Sequence, residues 1–520
     1  MANLKASLHL VGAPFDAKNI HRPVFDALLE ARRQFGGGRA ALEDHERRVL
    51  SYDDLIRASF AVGHRIARQT TADERVGVLL PASVGGAIAF FAAQAVGRVP
   101  VMLNFSAGSR NVTGAARLAS VRRIYTSRRF LELARLQPLM AALQRDFQLV
   151  YLEDLRQAFT PFEKARATFA AVCPTIFRQR RVASDPAVIL FTSGTTGDPK
   201  GVVLTHANIV GNAEQIAQHI APHRDWVIFN PLPLFHAFGL VGLLLPLLRG
   251  MKAVLYPSPV QAEPIVKLIR NTKADILLGV DSFVSQYARV AAPGDLDSLR
   301  FVVCGAERVR EETHKLFTAP VLEGYGATEC SPVVAVNQPD RNRPGTVGPL
   351  LPGIEAYIDP VGGIARGGRL RVRGPNVMAG YLTPEGLSRP TEGWYDTGDV
   401  CDVTDDGALV VLGRLKRFAK IGGEMVSLAG VEQMVSTVWS KNRHAVVAVP
   451  DEQRGERLIL ITDHPSPNEA ELQEGMKRAG SARLWIPQRI VGNTEIPLLA
   501  SGKTDYGALH RLAQQEQAVV

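Results

Sequence analysis

The sequence predicts an α/β fold: a large N-terminal region of parallel α/β sheets ending in a small β-rich subdomain, then a small α+β C-terminal domain. Three observations carry this. Short apolar runs suited to buried strands, VGVLLP at 76–81, VYLEDL at 150–155, VILF at 188–191, AVLYP at 253–257 and ADILLGV at 274–280, alternate with Ala- and Leu-rich helical segments such as GGAIAFFAAQAVG, as in parallel α/β sheets. Between about residues 340 and 412 the texture changes to Gly, Pro and short Val/Leu/Tyr runs (GTVGPLLPGIEAYI, RLRVRGPNVMAGYL, GALVVLG), the pattern of a β-rich subdomain. After Gly413-Arg414, LKRFAKIGGEMVSLAGVEQMV reads as a hairpin with glycines at its turn, then a helix, then a strand AVVAVP. The domain boundary therefore falls at about residue 414, dividing 1–414 from 415–520.

At 520 residues the chain exceeds what one hydrophobic core supports, so two or more domains are expected. Apolar residues make up 46% and charged residues 21%, which excludes a disordered or fibrous chain. Cys173, Cys304, Cys330 and Cys401 stand far apart with no C-x-x-C pair, so neither a zinc site nor a disulfide framework is indicated, and a reducing cytoplasm fits. The N-terminal MANLKASLHLVGAPFD carries no sustained apolar run, and AFGLVGLLLPLL at 237–248 is too short to span a bilayer and contains Pro246, so no transmembrane segment is expected. A net charge of +9 steers the protein towards acidic partners. Its basic residues are scattered rather than interleaved with stacking aromatics, which argues against RNA or DNA, and the densest run, RQRRV at 178–182, reads as a solvated connection.

The most informative stretch is FTSGTTGDPKG at 191–201. A strand-like VILF precedes it and a second strand-like VVL follows, so the loop lies between strands. Gly194, Gly197 and Gly201 let the backbone turn so that N–H groups converge on anionic oxygens, Thr192, Ser193, Thr195 and Thr196 add hydroxyl donors, and Lys200 adds charge. Such a nest suits pyrophosphate. It differs from the P-loop, because Lys200 follows Asp198-Pro199 and no Ser/Thr comes after it.

LEGYGATE (322–329), WYDTGD (394–399), GRLK (413–416) and LLASGKTDY (498–506) follow that loop in order. Together the five motifs resemble the adenylate-forming superfamily of acyl-CoA synthetases, peptide-synthetase adenylation domains and luciferases, over nearly the whole chain. More narrowly, NPLPLFHAFGL (230–240), LYPSP (255–259) and KRFAKIGGEMVSL (416–428) are similar to the ligase half of the bifunctional acyltransferase/acyl-carrier-protein synthetases.

The resemblance implies two doubly wound α/β subdomains plus the β-rich one, a mobile C-terminal domain, and ATP with Mg²⁺ as cofactors. It implies that the 192–200 loop binds the β- and γ-phosphates, that Glu329 binds Mg²⁺, a hard cation needing oxygen ligands, and that Thr328 donates to the α-phosphate. Gly305, Ala306, Glu307, Tyr325 and Gly326 would form the adenine slot, Asp399 would accept the ribose hydroxyls, and Arg414 would assist at the ribose or phosphate. Lys503 resembles the mobile lysine that bridges the acyl carboxylate and α-phosphate; Lys416 would be the hinge about which the C-terminal domain rotates, and Gly422-Gly423 would line the channel for a phosphopantetheine thiol. His236 resembles a gate near the acyl carboxylate, and GVDSFV at 279–284 would border an acyl pocket.

Two residues depart from the pattern. Asp281 places an acid beside the expected apolar pocket, and Arg417 stands where most of the superfamily carries Asp, a change shared with the acyl-carrier-protein synthetase group. His21 and Asp26 match the H-x4-D pattern of glycerolipid acyltransferases, but two residues alone carry little and the segment reads as the start of the ligase. The expected activity is an AMP-forming acid–thiol ligase acting on a long-chain fatty acid, with holo acyl carrier protein as acceptor and coenzyme A as the alternative. Adenylation with transfer to another nucleophile is a third possibility. A nucleotide-binding scaffold without catalysis is the rival from a different class, and the presence together of Lys200, Glu329, Asp399 and Lys503 argues against it. The +9 charge also fits peripheral contact with the inner face of a membrane.

Overall fold

The computed structural model describes residues 7–193, 199–364, 366–421, 424–451, 454–479, 481–498 and 504–517. The chain divides into two compact units. The larger comprises Val11–Ile354 and Arg373–Tyr395; the smaller comprises Met1–Leu10, Glu355–Val372 and Asp396–Val520.

Two eight-stranded sheets organise the larger unit. In one, strands Leu42-containing Ala40–Asp44, Lys252–Leu255, Val227–Asn230, Ile276–Gly279, Phe301–Cys304 and Val321–Gly326 run parallel, with antiparallel strands Val49–Ser51 and Val333–Val336 at the edges. In the other, Gln148–Tyr151, Arg123–Thr126, Arg75–Val78, Val99–Met102 and Pro186–Ser193 are parallel, and Pro199–Thr205, Gly380–Thr383 and Gly386–Ser388 continue it antiparallel. The α/β alternation of the sequence thus becomes a mixed α/β fold with helices between the strands. The helix Val84–Ala95 is apolar nearly all round and is buried accordingly, packing on Tyr52–Ala67. That second helix begins where Ser51 and Asp54 close a reciprocal capping box.

In the smaller unit, Leu8–Val11, Glu355–Asp359, Gly368–Arg373, Tyr395–Val403 and Leu409–Arg414 form a five-stranded sheet. A second sheet, Glu424–Ser427, Phe418–Ile421, Gly455–Thr462 and His444–Asp451 with Arg489–Val491 alongside, carries the helix Leu428–Val438. The predicted hairpin at 418–427 is present, with Ile421 opposite Glu424.

Three local expectations are corrected. VYLEDL is strand only to Tyr151, since Leu152–Gln157 is helical; Glu153 and Asp154 lie in its first turn, where negative charge suits the helix dipole. The GYL part of the 340–412 segment leaves the small β-rich sheet and pairs with Pro199–Thr205, Tyr381 opposite Val202. RQRRV is more than a solvated connection: Arg178 pairs with Asp26 at 2.8 Å and Arg181 with Asp185 at 3.2 Å, leaving Arg180 exposed. The pairing with Arg178 also gives Asp26 of the H-x4-D match a structural role.

His206, the first residue of the helix His206–Ile220, is buried and accepts a hydrogen bond from the Val24 N–H at 3.2 Å through Nδ1. Burial, and secondarily Arg181, depress its pKa to about 4. The neutral ring is the folded form, so stability is complete above the usual histidine pKa and is lost as pH falls from there towards about 4, by on the order of 3 kcal/mol. Replacing His206→Asn, which keeps an acceptor, should flatten this fall in melting temperature between neutral pH and about pH 4.

Candidate active site

The hairpin of Pro186–Ser193 and Pro199–Thr205 places the described residues that flank the Gly/Thr-rich loop. Its ladder pairs Thr192 with Lys200 and Ser193 with Pro199, so Thr192 and Lys200 stand opposite one another where the strands meet the loop. Gly194, Thr195, Thr196 and Gly197 lie outside the described residues, as does the Ser193 side chain. The Nζ of exposed Lys200 sits 5.4 Å from the centroid of the Tyr381 ring, on the adjoining strand; a cation over an aromatic face is held without being neutralised.

Tyr381 also connects to Glu329. The segment Thr328–Cys330 is a 3-10 turn at the end of strand Val321–Gly326, packed against both hairpin strands. The Glu329 carboxylate is 7% exposed, and the Tyr381 hydroxyl donates to its Oε1 at 2.6 Å. Tyr395 hydrogen-bonds Tyr381 in turn. Burial, then the Glu329 charge, push both phenols well above their ordinary pKa, so they remain donors. The backbone is stitched as firmly: Met378 N–H donates to the Glu329 carbonyl at 2.8 Å, and the Asn376 amide donates to the Cys330 carbonyl at 2.8 Å.

This arrangement fits a Mg²⁺ ion brought with phosphate. A carboxylate has about four lone-pair positions, and one phenolic donor uses one of them. Among the described residues no group of three or more His, Cys, Asp or Glu side chains could hold a metal, and Mg²⁺ characteristically uses one or two carboxylates plus substrate phosphates and water. Removing the donor with Tyr381→Phe should cost roughly ten- to a hundredfold in the ATP-consuming step, with the Mg²⁺ concentration for half-maximal rate displaced upwards. A normal Mg²⁺ titration of a well-folded Tyr381→Phe protein would remove Tyr381 from the site.

The segments expected around adenine meet at the ends of strands Phe301–Cys304 and Val321–Gly326, which are neighbours in one sheet. Gly305 lies against the ring of Phe238; a Cβ there would be 3.3 Å from it. Ala306 has φ +66°, turning the chain after the strand, and Glu307 accepts from the Ser282 hydroxyl at 2.8 Å. Tyr325 pairs with Ala335, and a bulge between Tyr325 and Gly326 redirects the chain into the Thr328 turn. Only glycine fits at 326, where a Cβ would fall 2.0 Å from the Pro332 carbonyl oxygen. Thr328 is half-buried beside Glu329.

His236 precedes the apolar helix Ala237–Leu248 and is half-buried. Its ring lies 4.6 Å from that of Phe235, which in turn packs edge-on to Phe105. Through Phe238 this helix start adjoins Gly305, so the sequence-predicted gate and adenine segments are brought together in the larger unit. Asp281, unexpected beside a pocket, is structural: it is 4% exposed, accepts from the Arg310 N–H at 3.1 Å and from the Thr313 hydroxyl, and pairs with the Arg310 guanidinium.

In the smaller unit, Asp399 and Arg414 are cross-strand partners, with Arg414 Nε 3.1 Å from Asp399 Oδ1. Asp399 is buried and Arg414 exposed. Lys416 is exposed within the short turn Leu415–Arg417. Arg417 folds inward: it donates to Glu432 at 2.8 Å and lies 3.6 Å from the Tyr506 ring centroid, while the Tyr506 hydroxyl donates to Glu432 at 3.2 Å. The residue after Lys416 is thereby anchored to the helix Leu428–Val438 and to the last helix, Tyr506–Gln517. Lys503 and the Gly422-Gly423 pair lie outside the described residues.

Residues 29–382, more than half the chain, match the AMP-binding enzyme family. The chain belongs to that family. Membership makes it an AMP-forming, ATP-using ligase, and the adenylate-forming resemblance of its motifs is borne out at that level. Among curated relatives, it is 32% identical to a medium-chain fatty-acid–CoA ligase of Escherichia coli (strain K12), over 61% of this chain and 59% of that protein's length. It is 28% identical to 4-coumarate-CoA ligase 1 of Narcissus pseudonarcissus, over 93% of this chain and 92% of the relative. Among solved structures, o-succinylbenzoate CoA synthetase from Bacillus subtilis in complex with its acyl-adenylate intermediate superimposes with a TM-score of 0.79 at 22% identity, over 94% of this chain and 98% of that one. An amide bond synthetase from Marinactinospora thermotolerans does so with a TM-score of 0.80 at 24% identity, covering 94% and 99%. At these identities the superpositions establish the fold: an α/β arrangement with a large N-terminal and a smaller C-terminal domain.

Tyr381 and Tyr395 are the site residues that sequence reasoning missed. Tyr395 lay inside the quoted WYDTGD motif, so its neighbourhood was marked; Tyr381 sits in an AGYL run with no chemical signature, and only the pairing of that strand with Pro199–Thr205 brings it to Glu329.

Proposed function

We propose that this enzyme activates a long-chain fatty acid as its acyl-adenylate and transfers the acyl group to a phosphopantetheine thiol. A fatty-acid carboxylate oxygen attacks the α-phosphorus of ATP, the bond to the β-phosphate oxygen breaks, and pyrophosphate leaves. The thiol then attacks the acyl carbon, AMP leaves, and the thiol proton passes to solvent.

The observation that carries this reading is the Glu329 carboxylate held by Tyr381, with Lys200 on the same aromatic ring and opposite Thr192. Bringing two anions together requires fixed positive charge and oriented donors where negative charge develops. Glu329 would hold Mg²⁺, which supplies charge neutralisation on the phosphates. Lys200, Thr192 and the loop hydroxyls bind the β- and γ-phosphates, and Thr328 donates to the α-phosphate. Gly305 to Glu307 and Tyr325 receive adenine. Asp399, with Arg414 as its partner, receives the ribose hydroxyls. Lys503 bridges the two reacting groups during adenylation, and rotation about Lys416, at the 1–414/415–520 boundary, withdraws it and presents the Gly422-Gly423 segment to the thiol.

Two acceptors have specific support. The KRFAKIGGEMVSL run favours holo acyl carrier protein, whereas the curated relatives are named as CoA ligases. Both end in the same thiol arm. Incubating the enzyme with ATP, Mg²⁺ and fatty acids of graded length, with holo acyl carrier protein or with coenzyme A, and reading intact masses, separates them. An acylated carrier protein supports the first; acyl-CoA alone moves the assignment to coenzyme A. Absence of any thioester where acyl-AMP accumulates would refute the transfer half of the proposal.

A further inference from the structure

The helix Pro161–Val172 in the larger unit is inverted relative to an ordinary surface helix. It turns its small residues, Ala167, Ala170 and Ala171, inward against the Tyr52–Ala67 helix, with Glu163 buried beside them. Its large apolar residues face outward: Phe162 is 77% exposed, Phe169 55% and Val172 65%. At about 100° per residue, positions 162, 165, 169 and 172 form one stripe opposite the alanine face. The next turn extends it, with Ile176 72% exposed and Phe177 edge-on to Phe169 at 5.7 Å. A contiguous run of bulky exposed apolar side chains marks an interaction site.

Charge identifies the occupant. Lys164 and Arg166 lie on the two flanks of the stripe, and Arg180 is exposed beyond its end. Of the bases in residues 159–182, Arg178 and Arg181 are paired with Asp26 and Asp185, which leaves Lys164, Arg166 and Arg180 against one acid, Glu163. That acid is turned inward, where Arg65 donates to it at 2.6 Å. Self-association through this face would set the same bases against each other, which disfavours a second copy. The stripe is a ridge on a helix, not a groove. A ridge of phenylalanine and branched aliphatic side chains between lysine and arginine matches a fluid anionic surface, into which the apolar residues sink while the cations stay with the headgroups.

We propose that the Pro161–Phe177 ridge docks this enzyme on anionic lipid bilayers. The ridge shares no residue with the proposed adenylating site, and the inference does not depend on the substrate assigned there.

The test is flotation of the full-length protein with phosphatidylcholine vesicles and with phosphatidylcholine/phosphatidylglycerol vesicles, at low and high salt. Wild-type protein should partition onto the anionic vesicles roughly tenfold or more above the neutral ones, and salt should reduce the difference. The pair Phe162→Ser with Phe169→Ser should abolish partitioning, with at most a small fall in melting temperature because both side chains are more than half exposed and Phe169 loses only its edge contact with Phe177. Lys164→Glu with Arg180→Glu should remove the anionic preference by a similar factor. Wild-type protein that stays unbound, or folded serine variants that bind as well as wild type, would overturn the proposal. So would a wild-type dimer that the serine pair converts to monomer, since the ridge would then be a protein interface.

Discussion

Lys503→Ala should abolish fatty-acid adenylation while leaving ATP binding intact. In the mechanism proposed above, the lysine is the one cation that contacts both reactants, the acyl carboxylate and the α-phosphate, as the new bond forms. Its charge is therefore worth more in the transition state than with either substrate alone, so its loss falls on kcat and not on ATP affinity. Removal of a single preorganised donor costs roughly a hundred- to a thousandfold, and a full charge at the meeting of two anions belongs at the upper end. Thioester formation from chemically supplied acyl-AMP should survive, because the lysine is withdrawn for that half-reaction. Rate and ATP dissociation constant, measured side by side, check this; unchanged turnover would remove Lys503 from catalysis and restore the binding-scaffold reading.

Glu329→Gln should be the second large effect, again roughly a hundredfold or more in adenylation. The change is nearly isosteric, so the Tyr381 donor still finds an acceptor and the Met378 backbone bond is untouched. What is lost is the negative charge that would hold Mg²⁺. The variant should therefore need far higher Mg²⁺ for the rate it retains, whereas Tyr381→Phe, which keeps the charge and loosens its position, should show a smaller displacement in the same direction. A Glu329→Gln enzyme with normal Mg²⁺ dependence would show that the cation is held elsewhere.

Motifs whose chemistry is local were legible in the sequence. FTSGTTGDPKG announces a donor-rich turn by composition, and the strands flanking it pair as a hairpin that sets Thr192 against Lys200. The 418–427 hairpin was equally readable, because its two strands are sequence neighbours. Long-range pairing was not. The sheet containing Glu355–Asp359 takes its edge strand from Leu8–Val11 and the second large sheet takes Gly380–Thr383, each recruited from far along the chain by backbone hydrogen bonds that leave no period in the sequence. Tyr381 was hidden for that reason. Asp281 was marked as a departure, but its partners were not legible, since Arg310 precedes and Thr313 lies within the helix Glu311–Leu316. Arg417 was read as a mark of lineage; the structure adds a physical role, pinning the segment after Lys416 through Glu432 and Tyr506.

The Lys200–Tyr381–Glu329 site should form an acyl-adenylate. Fatty-acid-dependent exchange of labelled pyrophosphate into ATP, with Mg²⁺ present and every thiol acceptor omitted, tests it most directly. Exchange should require the fatty acid, fall in Tyr381→Phe, and nearly vanish in Glu329→Gln and Lys503→Ala. Exchange that is absent in the wild-type enzyme across the fatty-acid series, or that proceeds undiminished without Glu329, would contradict it.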